Sequence, residues 1–142
     1  MDVSASLAIS SSALQAQRLR MDVIAANLAN AESTRTPEGG PYKRRDVVLE
    51  SLSGGSFEDI MGSTAGGAVR VARVVADEKP PRVVFDPGHP DADAKGYVSY
   101  PNVNPITEMV DLMAATRAYE ANVAAVNATK RVLEAALSIG RA

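Results

Sequence analysis

Apolar side chains in the C-terminal third of the chain recur at alternating steps of three and four residues. The stretch begins at Asn104, which can cap a helix, and Pro105, which suits the first helical position. No further Pro or Gly occurs before Gly140, a residue type common just past helix ends. The spacing is that of a coiled-coil seam, whose members are Met109, Leu112, Thr116, Tyr119, Val123, Val126, Lys130, Leu133 and Leu137. A helix of this length spans roughly 50 Å, so we expect it to need a partner.

A second heptad pattern covers residues 3 to about 28. It consists of Leu7, Leu14, Met21 and Leu28, with Val3, Ser10, Gln17 and Ile24 at the complementary positions. The two helices are expected to pair as an antiparallel hairpin, and about two turns of the longer C-terminal helix would then remain unpaired. Both helices are rich in alanine, which helix propensity alone explains and which would also permit close approach of other helices.

Asn27 and Asn30 lie one turn apart near the end of the N-terminal helix. Asparagine tolerates the left-handed conformation, so Asn30 would help to end the helix. Alternatively, the two amides would form hydrogen bonds across a helix interface and fix its register. The residues alone favour the first interpretation.

The middle of the chain, residues 31–103, contains all but one of the eight prolines and all but one of the ten glycines. Short strands are predicted at 42–49, 68–76, 82–85 and 97–101. They are separated by turn clusters at 34–42 and 86–96 and by a glycine- and serine-rich segment, 51–67, which we expect to be a flexible or exposed loop. The predicted fold is therefore α+β. Residues 1–30 and 104–142 would form a terminal-helix coiled coil, and residues 31–103 a small β-rich insertion.

Composition excludes several classes of function. The net charge of −2 argues against an electrostatic nucleic-acid binder. The absence of cysteine removes disulfides, thiolate nucleophiles and Cys-ligated zinc. No segment has the pattern of a cleaved signal peptide or the apolar length of a membrane span. On these rules alone the protein would be cytosolic and soluble.

Candidate chemistry is sparse. The single histidine, His89, lies among Asp86, Asp91 and Asp93. This turn lacks the spacing of a calcium loop, and one histidine is too few for zinc, so a solvated turn is the better interpretation. The basic run 43–45 is expected on the solvent face of a strand. We expect no catalytic site, no metal and no cofactor.

The stretch RMDVIAANLANAESTRTPEGGPYKRRDVV (20–48) resembles the N-terminal signature of bacterial flagellar rod and hook proteins. Within that group, TRTPEGGPY after NLANAEST, together with the segment 84–123, is similar to the proximal rod proteins. The similarity covers nearly the whole chain and is weak only in 51–67. It implies a non-enzymatic subunit that assembles through its terminal helices.

The resemblance also implies a location and partners. The implied location is the periplasm-spanning rod of the basal body. The implied partners are other rod subunits, the inner-membrane ring or export-gate adaptor, and distal rod proteins. Export would use the flagellar type III apparatus, which needs no cleaved signal peptide. Neither nucleic-acid binding nor direct membrane insertion is expected. The resemblance changes the expected location from the cytosol to the rod, and it favours close helix approach as the role of the alanines.

The assembly interface implied by this resemblance is drawn from both heptad seams and the two asparagines. Its members are Leu7, Leu14, Met21, Ile24, Asn27, Leu28, Asn30, Met109, Leu112, Tyr119, Val123, Val126, Leu133 and Leu137. Three alternatives stay open: another flagellar axial subunit, a cytosolic coiled-coil adaptor, and a small hydrolase that uses His89.

Overall fold

The two longest elements of the protein are helices at the two ends of the described chain. A computed structural model describes residues 3–52 and 67–140. Its elements in chain order are α1 (Val3–Ala29), β1 (Arg45–Leu52), β2 (Ala68–Ala76), β3 (Arg82–Phe85), β4 (Tyr97–Tyr100) and α2 (Pro105–Ile139). The predicted helices and the α+β class are confirmed. Most of the glycine- and serine-rich segment 51–67 lies outside the described residues, apart from the end of β1 and Gly67.

The ends of α2 follow from local chemistry. The Asn104 side chain accepts a hydrogen bond from the Ile106 N–H at 3.0 Å, and Pro105 occupies the first helical position, as predicted. Gly140 follows the last helical residue with φ −73°, a conformation open to any residue. Glycine's conformational freedom is therefore not used at this helix end.

The strands form two separate antiparallel hairpins. β1 pairs with β2 from Arg45↔Ala76 to Leu52↔Ala68, with a bulge at Ala72, and β3 pairs with β4. Three of the four predicted strands are confirmed, although Pro101 lies just past β4. The first begins at Arg45 instead of Tyr42, because residues 42–44 turn towards the helices.

α1 lies between α2 and the β1–β2 hairpin, and it contacts both. On one side the Ser12 hydroxyl oxygen accepts a hydrogen bond from the Val69 N–H at 3.1 Å. On the other side the Met21 sulfur accepts from the Thr116 hydroxyl at 3.6 Å, and Asn27 contacts Glu108 at 3.0 Å. Contacts therefore move towards the start of α1 as they move towards the end of α2, so the two helices run in opposite directions.

The β3–β4 hairpin combines one buried side chain with a partly exposed aromatic pair. Val98 is fully buried, and Phe85 packs edge-on against Tyr97 with ring centroids 5.3 Å apart. Gly96 has φ +80°, and a Cβ there would lie 2.9 Å from the Phe85 ring. This position therefore requires glycine for both conformation and space.

Candidate functional site

The face of α2 that packs against α1 repeats every seven residues, as predicted, but only half of it follows the predicted register. Leu112, Tyr119, Val126 and Leu133 are half-buried on this face. The other set of predicted positions, which alternates with this one along the helix, is displaced by one residue towards the start of α2. In the structure Glu108 and Ala115 are buried there, and Asn122 and Thr129 are half-buried. Of the predicted alternate set, only Val123 is half-buried, and the exposed members are Met109, Thr116, Lys130 and Leu137.

This difference in register has a physical cause. The occupied alternate positions carry a carboxylate, a methyl group, an amide and a hydroxyl, so an apolar pattern could not reveal them. A small residue at Ala115, which is 1 % exposed, lets the two helix backbones come close. Glu108 is tolerated because it has polar partners, as described below. Within one chain, the face of α2 that packs against α1 therefore does not pass through Met109 and Leu137.

The predicted positions of α1 are all at least half-buried within the chain. Leu7, Leu14, Met21 and Leu28 are half-buried, and Ile24 is buried. Ser10 is also buried, and the side-chain oxygen of Gln17 is buried without a hydrogen-bond partner within the described chain. Because α1 has neighbours on two sides, its polar seam positions lie inside the chain.

A buried polar junction joins both helices to the segment that leads into β1. Asn27 is completely buried, and its amide nitrogen donates to the Glu108 carboxylate at 3.0 Å and to the Arg45 carbonyl at 2.8 Å. Its amide oxygen accepts from the Arg45 N–H at 2.9 Å and from the Tyr42 hydroxyl at 3.0 Å. Asn27 thus uses both ends of its amide to hold two distant parts of the chain.

The charge of Glu108 is balanced within this junction. Its side chain is 1 % exposed, and the second carboxylate oxygen lies 2.6 Å from Arg44 Nε. Arg44 is itself mostly covered, with 21 % of its side chain exposed, and a second, weaker contact joins it to Asp46 at 3.4 Å. A buried carboxylate is costly without a partner, so Arg44 and Asn27 are what make Glu108 acceptable there.

The junction shifts two pKa values. The pKa of Tyr42 is raised, mainly by burial of its hydroxyl. The positive charge of Arg45 opposes this shift, and the negative charge of Glu108 adds to it. Burial alone would lower the pKa of Arg44, but hydrogen bonds and charge from Glu108 and Asp46 leave it raised. Both shifts favour the protonated forms that donate in the junction.

Sequence reasoning missed Tyr42, Arg44 and Glu108. The basic run 43–45 was expected on a solvent face, and for Arg44 this is wrong because the side chain turns inward to Glu108. An acidic residue in the first turn of a helix is ordinary, so Glu108 gave no signal. The second interpretation of Asn27, a hydrogen bond across a helix interface, matches the structure.

Asn30 ends α1 in a different way from the one expected. None of the described non-glycine residues has a positive φ, so Asn30 is not left-handed. Its side-chain nitrogen instead donates to the Ala26 carbonyl at 2.9 Å, and its oxygen accepts from the Ser33 hydroxyl at 3.1 Å. The Ala26 carbonyl also accepts from the Asn30 backbone N–H at 3.1 Å, so the side chain adds a second donor to the last helical hydrogen bond.

The turn that contains His89 is organised by its own polar groups. The Asp91 N–H donates to His89 Nδ1 at 3.1 Å, and the imidazole packs edge-on against Tyr100. Asp91 also accepts from the Thr34 hydroxyl at 2.7 Å and pairs with Arg35 at 2.5 Å, which ties this turn to the 34–42 turn. Within residues 3–52 and 67–140, no group of three or more His, Cys, Asp or Glu side chains is placed to hold a metal ion.

The outer surface of α2 is unusually apolar near both ends. Near its start the exposed side chains share one face, and they are Ile106, Met109, Val110 and Met113, each at least 57 % exposed. Near its end, Val132, Leu137 and Ile139 are 64 %, 67 % and 78 % exposed. Exposed apolar helix surface of this kind indicates contact with other molecules. Neither helix in the described part of the chain has the length and hydropathy to span a membrane.

Two family models match the segments that contain the helices. Residues 7–35 match the model described as "Flagella basal body rod protein", and residues 94–139 match "Flagellar basal body rod FlgEFG protein C-terminal". These segments contain Asn27 and Glu108, which form a buried contact between the helices.

Full-length relatives are similar over nearly the whole chain. A flagellar basal-body rod protein FlgC from Bacillus subtilis is 49 % identical over 146 residues, covering 96 % of this chain and 97 % of the relative. The FlgC of Borreliella burgdorferi is 42 % identical, with 98 % of each chain covered. The FlgC of Escherichia coli O6:H1 is 43 % identical, with 94 % of each covered.

Proposed function

The chain belongs to the FlgC family of flagellar basal-body rod proteins, and we propose that its terminal helices pair as an antiparallel coiled coil that forms the assembly surface. Its function is that of a structural subunit of the flagellar basal-body rod. The observation that supports the proposed pairing best is the buried Asn27–Glu108 contact, with Met21–Thr116 about two turns further along. The seven-residue repeat of buried positions on α2 is the spacing that a coiled coil requires.

The proposed division of the chain follows from these contacts. Residues 1–30 and 104–142 would form the assembly domain, and residues 31–103 the insertion. The β1–β2 hairpin packs against α1, and the polar junction fixes residues 42–45 to both helices. We therefore expect the β1–β2 hairpin to move with the helices as one unit. Such a connection suits a non-enzymatic part of a rotating shaft.

The assembly interface is proposed to use the predicted residues in two ways. Most of them hold α1 and α2 together inside one chain, because they are buried or half-buried there. Met109 and Leu137 are exposed instead and are available to neighbouring subunits. Their proposed neighbours are other rod subunits, the inner-membrane ring or export-gate adaptor, and distal rod proteins.

Export is proposed to occur through the flagellar type III apparatus with α1 retained. The buried side chains of α1, among them Ala16, Ile24 and Asn27, are part of the packed structure. Cleavage within α1 would uncover the β1–β2 hairpin and the inner face of α2. N-terminal sequencing of the subunit from isolated basal bodies tests this directly, and a mature protein that begins within or after α1 would contradict it.

A carboxylate placed on the contact face tests the pairing of the helices. Val126 is half-buried against α1, whereas the neighbouring Asn127 is exposed. We expect Val126→Glu to block rod completion and swimming while the subunit is still exported, because the new charge would be buried between the helices. Asn127→Glu is the matched control and should leave motility intact. Full-length rods in cells that carry only Val126→Glu would refute the proposed pairing.

The cytosolic adaptor is separated from the rod subunit by the state of the isolated chain. Limited proteolysis of purified monomer should remove the helix ends first if they gain most of their contacts on assembly. A stable helical dimer with protected ends would support the adaptor instead. The hydrolase alternative requires His89, so unchanged motility of a His89→Ala strain would argue against it.

A further inference from the structure

The apolar seam between α1 and α2 is compatible with more than one alignment of the two helices. The seam residues of α1 repeat every seven positions, and so do the apolar residues of α2 that face them. Sliding one helix past the other by seven residues therefore brings apolar side chains opposite apolar side chains again. A slide of α1 towards the end of α2 uncovers only Leu112 among the α2 seam residues. The seams alone thus give the observed alignment little preference.

The lengths of the helices permit one such slide. α2 has 35 residues and α1 has 27, a difference of eight, which is just over one heptad. In the observed alignment Met21 meets Thr116 and Asn27 meets Glu108, so the uncovered part of α2 is at its end. Sliding α1 by seven residues in that direction would keep all of α1 alongside α2. Sliding it the other way would leave the last turn of α1 beyond the start of α2.

Asn27 distinguishes the observed alignment from the slid one. It is completely buried, and its amide nitrogen donates to the Glu108 carboxylate at 3.0 Å. After the slide it would face Ala115, seven residues further along α2, whose methyl group accepts no hydrogen bond. A buried N–H without an acceptor is penalised by its full desolvation, so the amide opposes the slide.

The ion pair of Arg44 and Glu108 opposes the slide as well. Arg44 lies in the segment that leads into β1, and the β1–β2 hairpin packs against α1, so we expect Arg44 to move with α1. Its Nε atom lies 2.6 Å from the carboxylate of Glu108, whose side chain is 1 % exposed. A slide of about 10 Å would separate the two charges and leave each without its main partner.

We propose that Asn27, Arg44 and Glu108 form a register lock, which selects one of two alignments that the apolar seams of α1 and α2 would otherwise accept and which opposes sliding of the two helices along each other. A single buried polar residue fixes the register of coiled coils in the same way. The proposal rests on the antiparallel pairing of the proposed function and adds what fixes its alignment. The lock also determines which end of α2 stays uncovered.

Pairs of cysteines report the alignment directly, because the chain has no native cysteine. Met21→Cys with Thr116→Cys reports the observed alignment, since those side chains are in contact. Met21→Cys with Val123→Cys reports the slide towards the end of α2, and Met21→Cys with Met109→Cys reports the opposite slide. In the observed alignment positions 109 and 123 each lie about 10 Å along α2 from position 116, which is too far for a disulfide to position 21.

Each cysteine pair is placed in the chain with its own junction and in a chain with an apolar junction. The apolar junction carries Asn27→Leu, Arg44→Met and Glu108→Met, which removes both charges of the ion pair together. Purified chains are oxidised under the same conditions, and we expect the unsubstituted junction to give the 21–116 link almost alone. With the apolar junction, the ratio of the 21–123 link to the 21–116 link should rise at least about tenfold, as expected for the loss of one hydrogen bond to a charged group.

The matched control replaces the exposed pair Glu50 and Arg70 by methionine and should leave the ratio unchanged. Far-ultraviolet circular dichroism shows whether the apolar junction keeps both helices. If it does not, Asn27→Leu alone, which keeps the ion pair, decides the matter and should shift the ratio in the same direction.

The outcomes separate the register lock from the proposed function. A folded variant that gives only the 21–116 link would overturn the lock and leave the pairing of the helices intact, since the alignment would then be fixed elsewhere. An equal shift in the Glu50 and Arg70 control would also overturn it. Absence of the 21–116 link from the unsubstituted junction would instead contradict the proposed pairing itself.

Discussion

Removing the buried charge of Glu108 should destabilise the protein much more than removing an exposed one. Glu108→Met leaves Arg44 with only the distant Asp46 as partner, and it leaves one N–H of Asn27 without an acceptor. Breaking a fully buried ion pair from one side costs about 3–5 kcal/mol. Because the Arg44 side chain is 21 % exposed, part of its hydration is recovered, and we expect a loss of about 2–4 kcal/mol.

The matched control is the exposed pair on the β1–β2 hairpin. Glu50 and Arg70 lie 3.2 Å apart with 52 % and 62 % of their side chains exposed. Exposed pairs contribute about 0–1 kcal/mol, so Glu50→Met should change the free energy of unfolding by no more than that. The two substitutions remove the same group, and burial is the largest difference between the two sites.

A double-mutant cycle tests whether the loss of stability comes from leaving one charge of the buried pair without its partner. Arg44→Met together with Glu108→Met replaces the ion pair by apolar side chains, which avoids leaving a single buried charge. We expect the double variant to be less destabilised than the sum of the single variants by about 1–3 kcal/mol.

The assay is urea unfolding of the purified chain followed by far-ultraviolet circular dichroism, with thermal unfolding as a second measure. For a chain of this size, 1 kcal/mol corresponds to a change in Tm of about 3–4 °C. The reasoning would be refuted if Glu108→Met and Glu50→Met had equal effects, or if the double variant showed simple additivity.

Further predictions concern single residues. Because folding raises the pKa of Tyr42, its hydroxyl stabilises the folded chain fully below pH 10, and this stabilisation is lost as the pH rises through the folded pKa. We expect the urea midpoint of unfolding to fall less at alkaline pH in Tyr42→Phe than in the unsubstituted chain. Gly96→Ala should cost about 2–3 kcal/mol in thermal unfolding, because φ is +80° and the new methyl group meets Phe85. Gly88→Ala should cost far less, because φ there is not positive and the new methyl group makes only an ordinary contact with Asp86 at 3.6 Å. Asn104→Ala removes the cap of α2 and should cost about 1 kcal/mol, measured in the same way; no loss would contradict the cap.

Local sequence determined most of the secondary structure. Its signals depend only on residues that are close in sequence. They are the cap and proline at 104–105, the runs of valine in 68–76 and 82–85, and the turn residues between the elements. Such preferences do not depend on distant parts of the chain, so they could be predicted. The strand expected at 42–49 failed at its start because Tyr42 and Arg44 have partners that are distant in sequence.

The heptad spacing predicted that the two helices would meet, but only the tertiary structure decided which residues lie between them. Hydrophobic periodicity identified Leu112, Tyr119, Val126 and Leu133, because burial of an apolar side chain is favourable without any specific partner. It could not identify Glu108, whose burial depends on Arg44, 64 residues away, and on Asn27, 81 residues away. A polar group is stable inside a protein only when specific partners surround it, and those partners come together only in the folded chain.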